Sequence, residues 1–201
     1  MNTVSTMTFA VQAFVTLLVI FDPPGATPIF LALVSKKSPK ERTRLAWQAA
    51  GVSLFVIATF AIFGQVILDY MHVSIEALQA AGGLLLLYVS LQLLTGSSSE
   101  QASEGTNIGM VPLGTPLLAG PGAIVATMIF VQQADTNSKM GALVLAIIAV
   151  HLIIGIILML STKVLSIIKE SGVTLLARIA GLLLAAIAVQ MLADAIKVLA
   201  A

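Results

Sequence analysis

The sequence predicts an all-α polytopic membrane protein with six transmembrane helices, arranged as two inverted three-helix repeats whose first and fourth helices are broken. Three observations predict this fold class. Of the 201 residues, 59% are hydrophobic and 9% are charged, against about 25% charged in an average soluble domain. The chain divides into six apolar segments, each near the roughly 20 residues that a helix needs to cross the hydrocarbon core. The first and fourth segments each contain a cluster of prolines and glycines.

Polar or charged residues separate the six apolar segments. The segments are Thr8 to Val34, Leu45 to Leu68, Ala77 to Leu94, Val111 to Val131, Gly141 to Leu160 and Leu175 to Leu199. A soluble protein of this composition could not cover its surface with polar groups, so the outward faces should be apolar and contact lipid. No Lys or Arg precedes the first segment, so we expect this segment to stay in the mature protein rather than to be cleaved as a signal peptide.

Positive charge predicts the orientation in the membrane. The connection after the first segment, KKSPKERTR, contains five of the ten basic residues, and cytoplasmic connections carry an excess of Lys and Arg. The connection after the fifth segment adds Lys163 and Lys169, whereas the opposite side carries Lys139 and Lys197. We therefore expect a multi-pass protein of the cell inner (cytoplasmic) membrane with both termini outside.

The two halves of the chain resemble each other. GLLL at residues 83–86 recurs at 181–184 and Gln92 recurs as Gln190, at an offset of 98 residues; Pro-Gly-Ala at 24–26 recurs at 121–123, at an offset of 97. Because each half holds an odd number of segments, the second copy must enter the membrane from the opposite face. Inverted repeats of this kind are typical of secondary transporters. The predicted organisation is one membrane domain with a first repeat over 1–95, a flexible linker over 96–110 and a second repeat over 111–201.

The stretch FDPPGATPIF, residues 21–30, interrupts the first segment. Proline inside a helix removes one hydrogen bond and clashes with the preceding turn, at a cost of about 3 kcal/mol, so this stretch should end the helix. The freed carbonyl groups cannot face lipid, so the break should line a water-filled pathway. PLGTPLLAGPG, residues 112–122, should break the fourth segment in the same way. The breaks lie roughly 21 Å and 13 Å from the starts of their segments, so they can meet in depth from opposite faces.

Each break should present the N-terminus of a new half-helix to the protein's centre. We expect these half-helices to start near Ala26 and Ala123, with unpaired N–H groups and the positive end of the helix dipole facing inwards. Such an end binds carboxylate or phosphate without an arginine. The predicted substrate-binding residues are Asp22, Pro23, Pro24, Gly25, Ala26, Thr115, Gly120, Pro121, Gly122 and Ala123.

Asp22 is the one aspartate that lies deep in a predicted span. An aspartate at the centre of a membrane helix costs roughly 2.5 to 3.5 kcal/mol on insertion scales, which favours a functional role. It would pair with a substrate ammonium group or carry a coupled proton. The alternative is an N-cap for the second half-helix, a position that Asp favours, and the two roles are compatible. Coupling to sodium through freed carbonyl groups stays open.

Other polar residues in the spans have two interpretations each. Gln92 and Gln190 either hydrogen-bond substrate or the broken backbone, or they join helices or serve as polar ends at the interface; the second interpretation is favoured. His151 either relays protons or, as favoured here, bonds a neighbouring helix. Thr115 and Thr127 flank the second break and either contact substrate or bond their own helix.

Composition excludes or disfavours several classes of function. There is no cysteine, which excludes disulfides, thiolate metal sites and cysteine nucleophiles. The net charge is +1 and no basic face suggests nucleic acid. One lone histidine and one deep aspartate do not make an enzyme site, so we expect no enzyme activity, cofactor or metal site. A channel, or an accessory membrane protein for another small solute or complex, is the alternative to a transporter, and homo-oligomerisation stays open.

The motifs make the sequence similar to the MarC-related proteins, also called the small neutral amino acid transporter family, within the lysine-exporter-like superfamily. The resemblance covers essentially the whole chain, through DPPGATPIF, PLGTPLLAGPGAI, the basic first connection and the six-segment layout. The family motifs correspond to Asp22, Pro23, Pro24, Gly25 and Pro28, and to Pro116, Gly120, Pro121 and Gly122. The resemblance implies the six-span fold and transport of small neutral amino acids of the glycine and alanine type.

A mechanism follows for a small zwitterionic substrate. The half-helix N-termini would hold its carboxylate, and Asp22 or freed carbonyl groups would hold its ammonium group. One repeat would then rock against the other, giving alternating access. Gly and Ala around both breaks imply a small cavity that excludes large side chains.

Overall fold

The computed structural model describes residues 5–34, 37–95 and 118–200, and these residues form helices without a strand. The helices are α1 (Thr6–Phe21), α2 (Pro23–Leu33), α3 (Pro39–Met71), α4 (Ile75–Thr95), α5 (Pro121–Gln133), α6 (Asn137–Met159) and α7 (Ser161–Leu199). Five helical stretches of the described chain are long and apolar enough to cross a membrane, and one of them combines α1 with the start of α2; α5 adds a shorter apolar helix. The predicted class, an all-α polytopic membrane protein, is confirmed.

Two connections predicted from charge are helical instead. The basic stretch after the first segment begins α3 at Pro39, because Ser38 forms a capping box with Glu41 and proline suits the first helical turn. The predicted connection after the fifth segment is helical as well, although it lies between two candidate membrane spans, Asn137–Met159 and Thr174–Leu199. Leu160 alone separates α6 from α7, and α7 runs from Ser161 through Lys163 and Lys169 without interruption. The predicted linker 96–110 and the first part of the fourth segment, 111–117, lie outside the described residues.

Side-chain contacts give the relative directions of α1, α3 and α6. Phe9 lies beside Lys139 and Phe21 lies beside His151, so α1 and α6 run parallel. Trp47 packs on Gly155, where an added Cβ would lie 2.7 Å from the indole ring. Ser53 contacts His151, so α3 runs antiparallel to α6.

Helices α4 and α7 form the largest helix–helix contact of the described chain and cross in antiparallel directions. At this crossing, a Cβ added to Gly83 would lie 2.9 Å from Leu192 Cγ, and a Cβ added to Gly181 would lie 3.2 Å from Leu94 Cγ. Glycine removes the side chain that would keep the two backbones apart, as in other membrane helix pairs. The two glycines therefore set how closely α4 and α7 approach.

Two buried clusters hold the helices together. The larger contains residues from α1, α2, α3, α5 and α6, with Phe30 and Ile57 fully buried. The smaller joins α4, α5 and α7 around Leu86 and Leu184. Large apolar side chains such as Phe55, 71% exposed, cover the outside. This pattern is expected when the surrounding solvent is lipid.

Candidate functional site

The first helix breaks at Asp22, as predicted. Asp22 has φ 42° and ψ 65°, the left-handed conformation, and its N–H donates to Val19 O at 3.1 Å to close α1. Aspartate tolerates this conformation better than most non-glycine residues. Pro23 then starts α2 directly, so a single residue separates the two half-helices.

Asp22 also caps the helix that follows it. Its Oδ1 accepts from the Gly25 N–H at 3.3 Å, and its carbonyl oxygen accepts from the Ala26 N–H at 2.9 Å. Pro23 and Pro24 have no N–H to present. The prediction of unpaired amide groups near Ala26 is therefore wrong: α2 begins at Pro23, and each of its first donors is either absent or paired.

Gly25 makes room for the capping carboxylate. A Cβ added at Gly25 would lie 2.0 Å from Asp22 Oδ2, far inside van der Waals contact. Only glycine at this position lets the aspartate fold back over the helix end. Oδ2 itself has no hydrogen-bond partner within residues 5–34, 37–95 and 118–200, so one carboxylate oxygen stays available.

The second break lies before α5 and lacks a side-chain cap. Gly120 is the N-cap residue, no side chain bonds the helix end, and Pro121 occupies the first turn. The N–H groups of Ala123 and Ile124 donate to Gly120 O at 3.0 and 3.2 Å. Helix α5 therefore starts at Pro121 rather than near Ala123, and the amide of Ala123 is paired. The N–H of Gly122 has no acceptor in the described part of the chain.

The two breaks flank the same buried core. Phe21 and Ala26 on either side of Asp22 belong to the larger cluster, and Ala119 and Ala123 on either side of the second break belong to it as well. A Cβ added to Gly122 would lie 2.3 Å from Leu86 Cδ2, so α4 presses directly on the start of α5. A carboxylate and an uncapped helix N-terminus thus border one core.

Known proteins resemble this chain over nearly its whole length. The family model described as MarC family integral membrane protein matches residues 7–200. The chain belongs to the MarC family. A UPF0056 membrane protein of Methanocaldococcus jannaschii is 37% identical over 200 residues, which cover 94% of this chain and 96% of that protein. No solved structure matches the chain.

Bacterial members of the MarC family are also similar over nearly their whole length. The UPF0056 inner membrane protein YhgN of Escherichia coli is 32% identical over 190 residues, covering 93% of this chain and 95% of YhgN. The UPF0056 membrane protein YvbG of Bacillus subtilis is 29% identical over 199 residues, covering 94% of each chain. These names describe membrane proteins and contain no substrate.

Each half-helix of this MarC family chain contains a threonine that bonds the backbone of its own helix. Thr27 donates its hydroxyl to Pro23 O at 2.8 Å, and Thr127 donates to Ala123 O at 2.8 Å. Both side chains are buried. For Thr127, the bond to its own helix is the structural alternative that the sequence predicts. Thr115 lies outside the described residues.

His151 bonds a neighbouring helix, as predicted. Its Nδ1 lies 2.8 Å from Ile147 O and its Nε2 lies 3.2 Å from Ser53 Oγ. A carbonyl oxygen only accepts, so Nδ1 carries the hydrogen and the Ser53 hydroxyl donates to Nε2 in the neutral ring. The ring also packs edge-on against Phe21 at 5.0 Å, one residue before the first break. Sequence reasoning missed Ser53, although it precedes His151 by 98 residues, the offset of the repeat.

Two other pairs of polar side chains bond each other rather than a group in the breaks. Gln190 bonds Asp194 on its own exposed helix face. Gln132 and Gln65, which the sequence did not single out, bond each other between α5 and α3. No three His, Asp or Glu residues of the described chain cluster as metal ligands.

Proposed function

We propose that this MarC family protein is a secondary transporter for small neutral amino acids of the glycine and alanine type. The observation that carries the proposal is the opposite charge of the two helix breaks. One break presents the carboxylate of Asp22 and the other presents the uncapped N-terminus of α5, and both border the same buried core. A zwitterion is attracted by this pairing because each of its charges is costly to leave unpaired in an apolar site.

Each break has a role in binding. Asp22 Oδ2 takes the substrate ammonium group, since Oδ1 is already bonded to the Gly25 amide. The Gly122 N–H and the dipole of α5 take the carboxylate. This assignment replaces a symmetrical arrangement, in which both half-helices bind the carboxylate, because α2 has no free amide to offer.

Other predicted site residues shape these two groups. Pro23 and Pro24 remove donors that would compete for the Asp22 carboxylate, and Ala26 packs in the core behind it. The start of α5 contains the other predicted residues, Gly120, Pro121 and Ala123. Thr115 stays a predicted contact.

Close packing at both breaks supports a small substrate. The backbone at Gly25 lies against Asp22 and the backbone at Gly122 lies against Leu86, with no room for an added Cβ at either position. A substrate that contacts either glycine therefore has little room for a side chain of its own. Glycine and alanine fit such a site better than amino acids with large side chains.

Alternating access needs two halves that move against each other, and equivalent contacts between the halves support an inverted repeat. Gly83 packs on Ala188 O and Leu192, while its equivalent Gly181 packs on Ser90 O and Leu94. Each residue of one pair lies 98 positions from its counterpart in the other pair. Such reciprocity is expected when a two-fold axis in the membrane plane relates two three-helix units. The expected orientation, with both termini outside, belongs to this proposal.

Transport into liposomes tests the proposal. Purified protein is reconstituted and uptake of labelled glycine, alanine, serine and leucine is measured with and without a pH gradient and a sodium gradient. We expect saturable glycine and alanine uptake, counterflow, and stimulation by the proton gradient if Asp22 carries the coupled proton. Uptake that neither saturates nor shows counterflow would identify a channel. No uptake of any small amino acid would contradict the proposal and favour an accessory role.

A further inference from the structure

Helix α3 is longer than the membrane is thick. Its 33 residues extend roughly 50 Å, against roughly 30 Å of hydrocarbon. Trp47 and Tyr70 are exposed on the outside of the helix and lie roughly 35 Å apart along it. Aromatic residues of this kind lie at the two membrane interfaces. The first turns of α3, from Pro39, therefore lie at the level of the lipid headgroups.

One face of α3 carries two cations, an indole at the membrane interface and an unfilled space beside a glycine. Lys40, Arg44, Trp47, Gly51 and Phe55 are all exposed, and at 100° per residue they fall within about 80° of the helix circumference. This face, residues 40, 44, 47, 51 and 55, is called the anchor face below. Its polar end lies at the headgroup level and its apolar end reaches into one leaflet.

The cations of the anchor face are available to a ligand. Neither Lys40 nor Arg44 forms an ion pair within residues 5–34, 37–95 and 118–200. The neighbouring carboxylate of Glu41 is used elsewhere, because its Oε2 accepts from the backbone N–H and the hydroxyl of Ser38. The positive charge at this level is therefore directed at the solvent and the lipid headgroups.

Gly51 leaves a gap between two aromatic side chains. No atom lies within 4 Å of a Cβ added at Gly51. Phe55, one turn further into the membrane, is 71% exposed. On the other side of the gap, the Trp47 ring is held against Gly155 of α6. No described residue accepts a hydrogen bond from the indole N–H. The gap is thus bounded by one ring fixed by a second helix and one ring that faces lipid.

From these contacts we infer that the anchor face binds one anionic phospholipid. Lys40 and Arg44 hold the phosphate and the anionic headgroup, the Trp47 N–H lies at the level of the glycerol esters, and one acyl chain lies in the gap over Gly51. The spacing along α3 agrees with this placement of the lipid, since Trp47 lies roughly 10 Å from Lys40 and Phe55 lies roughly 12 Å beyond Trp47. Charge complementarity selects an anionic headgroup over a zwitterionic one. This inference does not depend on the proposed transport function.

The chain offers an internal reporter, because Trp47 is its only tryptophan. The full-length protein is reconstituted in bilayers that contain phosphatidylglycerol or phosphatidylcholine with brominated acyl chains, and contact quenching of the Trp47 fluorescence is measured. At equal mole fraction we expect brominated phosphatidylglycerol to associate roughly tenfold more strongly than brominated phosphatidylcholine. Raising the salt concentration should reduce this preference. Equal quenching by both lipids would overturn the inference.

Variants separate a lipid site from general attraction to charge. Lys40→Gln with Arg44→Gln should abolish the preference, whereas Lys197→Gln, which removes an exposed cation at the far end of α7, should leave it unchanged. Gly51→Leu adds a side chain whose Cβ meets nothing within 4 Å, and it should reduce association of phosphatidylglycerol at unchanged charge. If Gly51→Leu has no effect, the anchor face attracts lipid only diffusely and the site is wrong. An unchanged emission maximum and unchanged size-exclusion elution show that each variant is folded.

Discussion

Ser53 and His151 are hydrogen-bonded at 3.2 Å and lie 98 residues apart in the chain. The same offset relates Gly83 to Gly181, each of which packs on the other's helix. The pair therefore connects the two halves of the chain at the α3–α6 contact, and Phe21 ties this contact to the first helix break.

The first prediction concerns this buried bond. Ser53→Ala leaves His151 Nε2 without its donor, which should lower the free energy of unfolding by about 1 to 2 kcal/mol. Thr59→Ala is the matched control, because Thr59 bonds only its own helix through Phe55 O. Stability is measured by thermal unfolding in detergent. A double-mutant cycle with His151→Phe should give a coupling of about 1 kcal/mol, and additive effects would contradict a direct bond.

The second prediction concerns the α4–α7 crossing. Gly83→Val and Gly181→Val each introduce a branched side chain. Its Cβ would lie 3.0 Å from Ala188 O in the first variant and 3.1 Å from Ser90 O in the second. Both should destabilise by about 1 to 3 kcal/mol, as overpacking does, and to a similar extent. Gly141→Val should not destabilise, since a Cβ there meets nothing within 4 Å. Unequal effects of the two valines in thermal unfolding would argue against equivalent roles.

The third prediction separates the capping and binding roles of Asp22. Asp22→Asn keeps an oxygen for the Gly25 amide and tolerates the left-handed backbone, so stability should change by less than about 0.5 kcal/mol. Because the charge is lost, glycine uptake should fall at least roughly tenfold, the factor that about 1.4 kcal/mol represents. Asp22→Ala should lose uptake and about 1 to 2 kcal/mol of stability as well. Uptake at the wild-type rate by the Asp22→Asn variant would show that Asp22 acts only as a helix cap.

The fourth prediction concerns Gly25. A Cβ at this position would lie 2.0 Å from Asp22 Oδ2, so Gly25→Ala must displace the carboxylate from the helix end. We expect uptake to fall as far as it does in Asp22→Asn, and stability to fall by about 1 kcal/mol through the lost cap. Gly141→Ala is the control, because it adds the same methyl group in open space. Normal uptake by Gly25→Ala in the liposome assay would show that the carboxylate position does not matter.

The fifth prediction concerns an ion pair between the α5–α6 connection and α6. Lys139 is only 8% exposed, pairs with Asp135 at 2.9 Å and lies over the Phe9 ring. Asp135→Asn leaves the buried ammonium group without its partner and should destabilise by about 1 to 2 kcal/mol. Lys139→Met should cost less, because the Asp135 side chain is 59% exposed and returns to water. The reverse order in thermal unfolding would contradict this reasoning.

Much of the fold could be predicted because it depends on short-range constraints. Membrane insertion follows from composition, and the break at Asp22 follows from two prolines that cannot continue the hydrogen bonding of α1. The charges at the start of α3 predict a connection, and this prediction is wrong because α3 begins at Pro39. A capping box and a proline at the first turn allow a charged sequence to be helical once it has left the hydrocarbon.

The sequence by itself determined the membrane class, the break in the first helix and the spacing that relates the two halves, because residue composition, proline rings and periodicity act locally. Only the tertiary structure decided that the Asp22 carboxylate occupies the end of α2 while the end of α5 has no side-chain cap. It also decided that His151 meets Ser53 rather than a group in the breaks. These choices depend on where side chains and distant helices come to lie. Apolar helices in lipid can pack in several ways that hydrophobicity does not distinguish, so close backbone contacts and buried hydrogen bonds select among them.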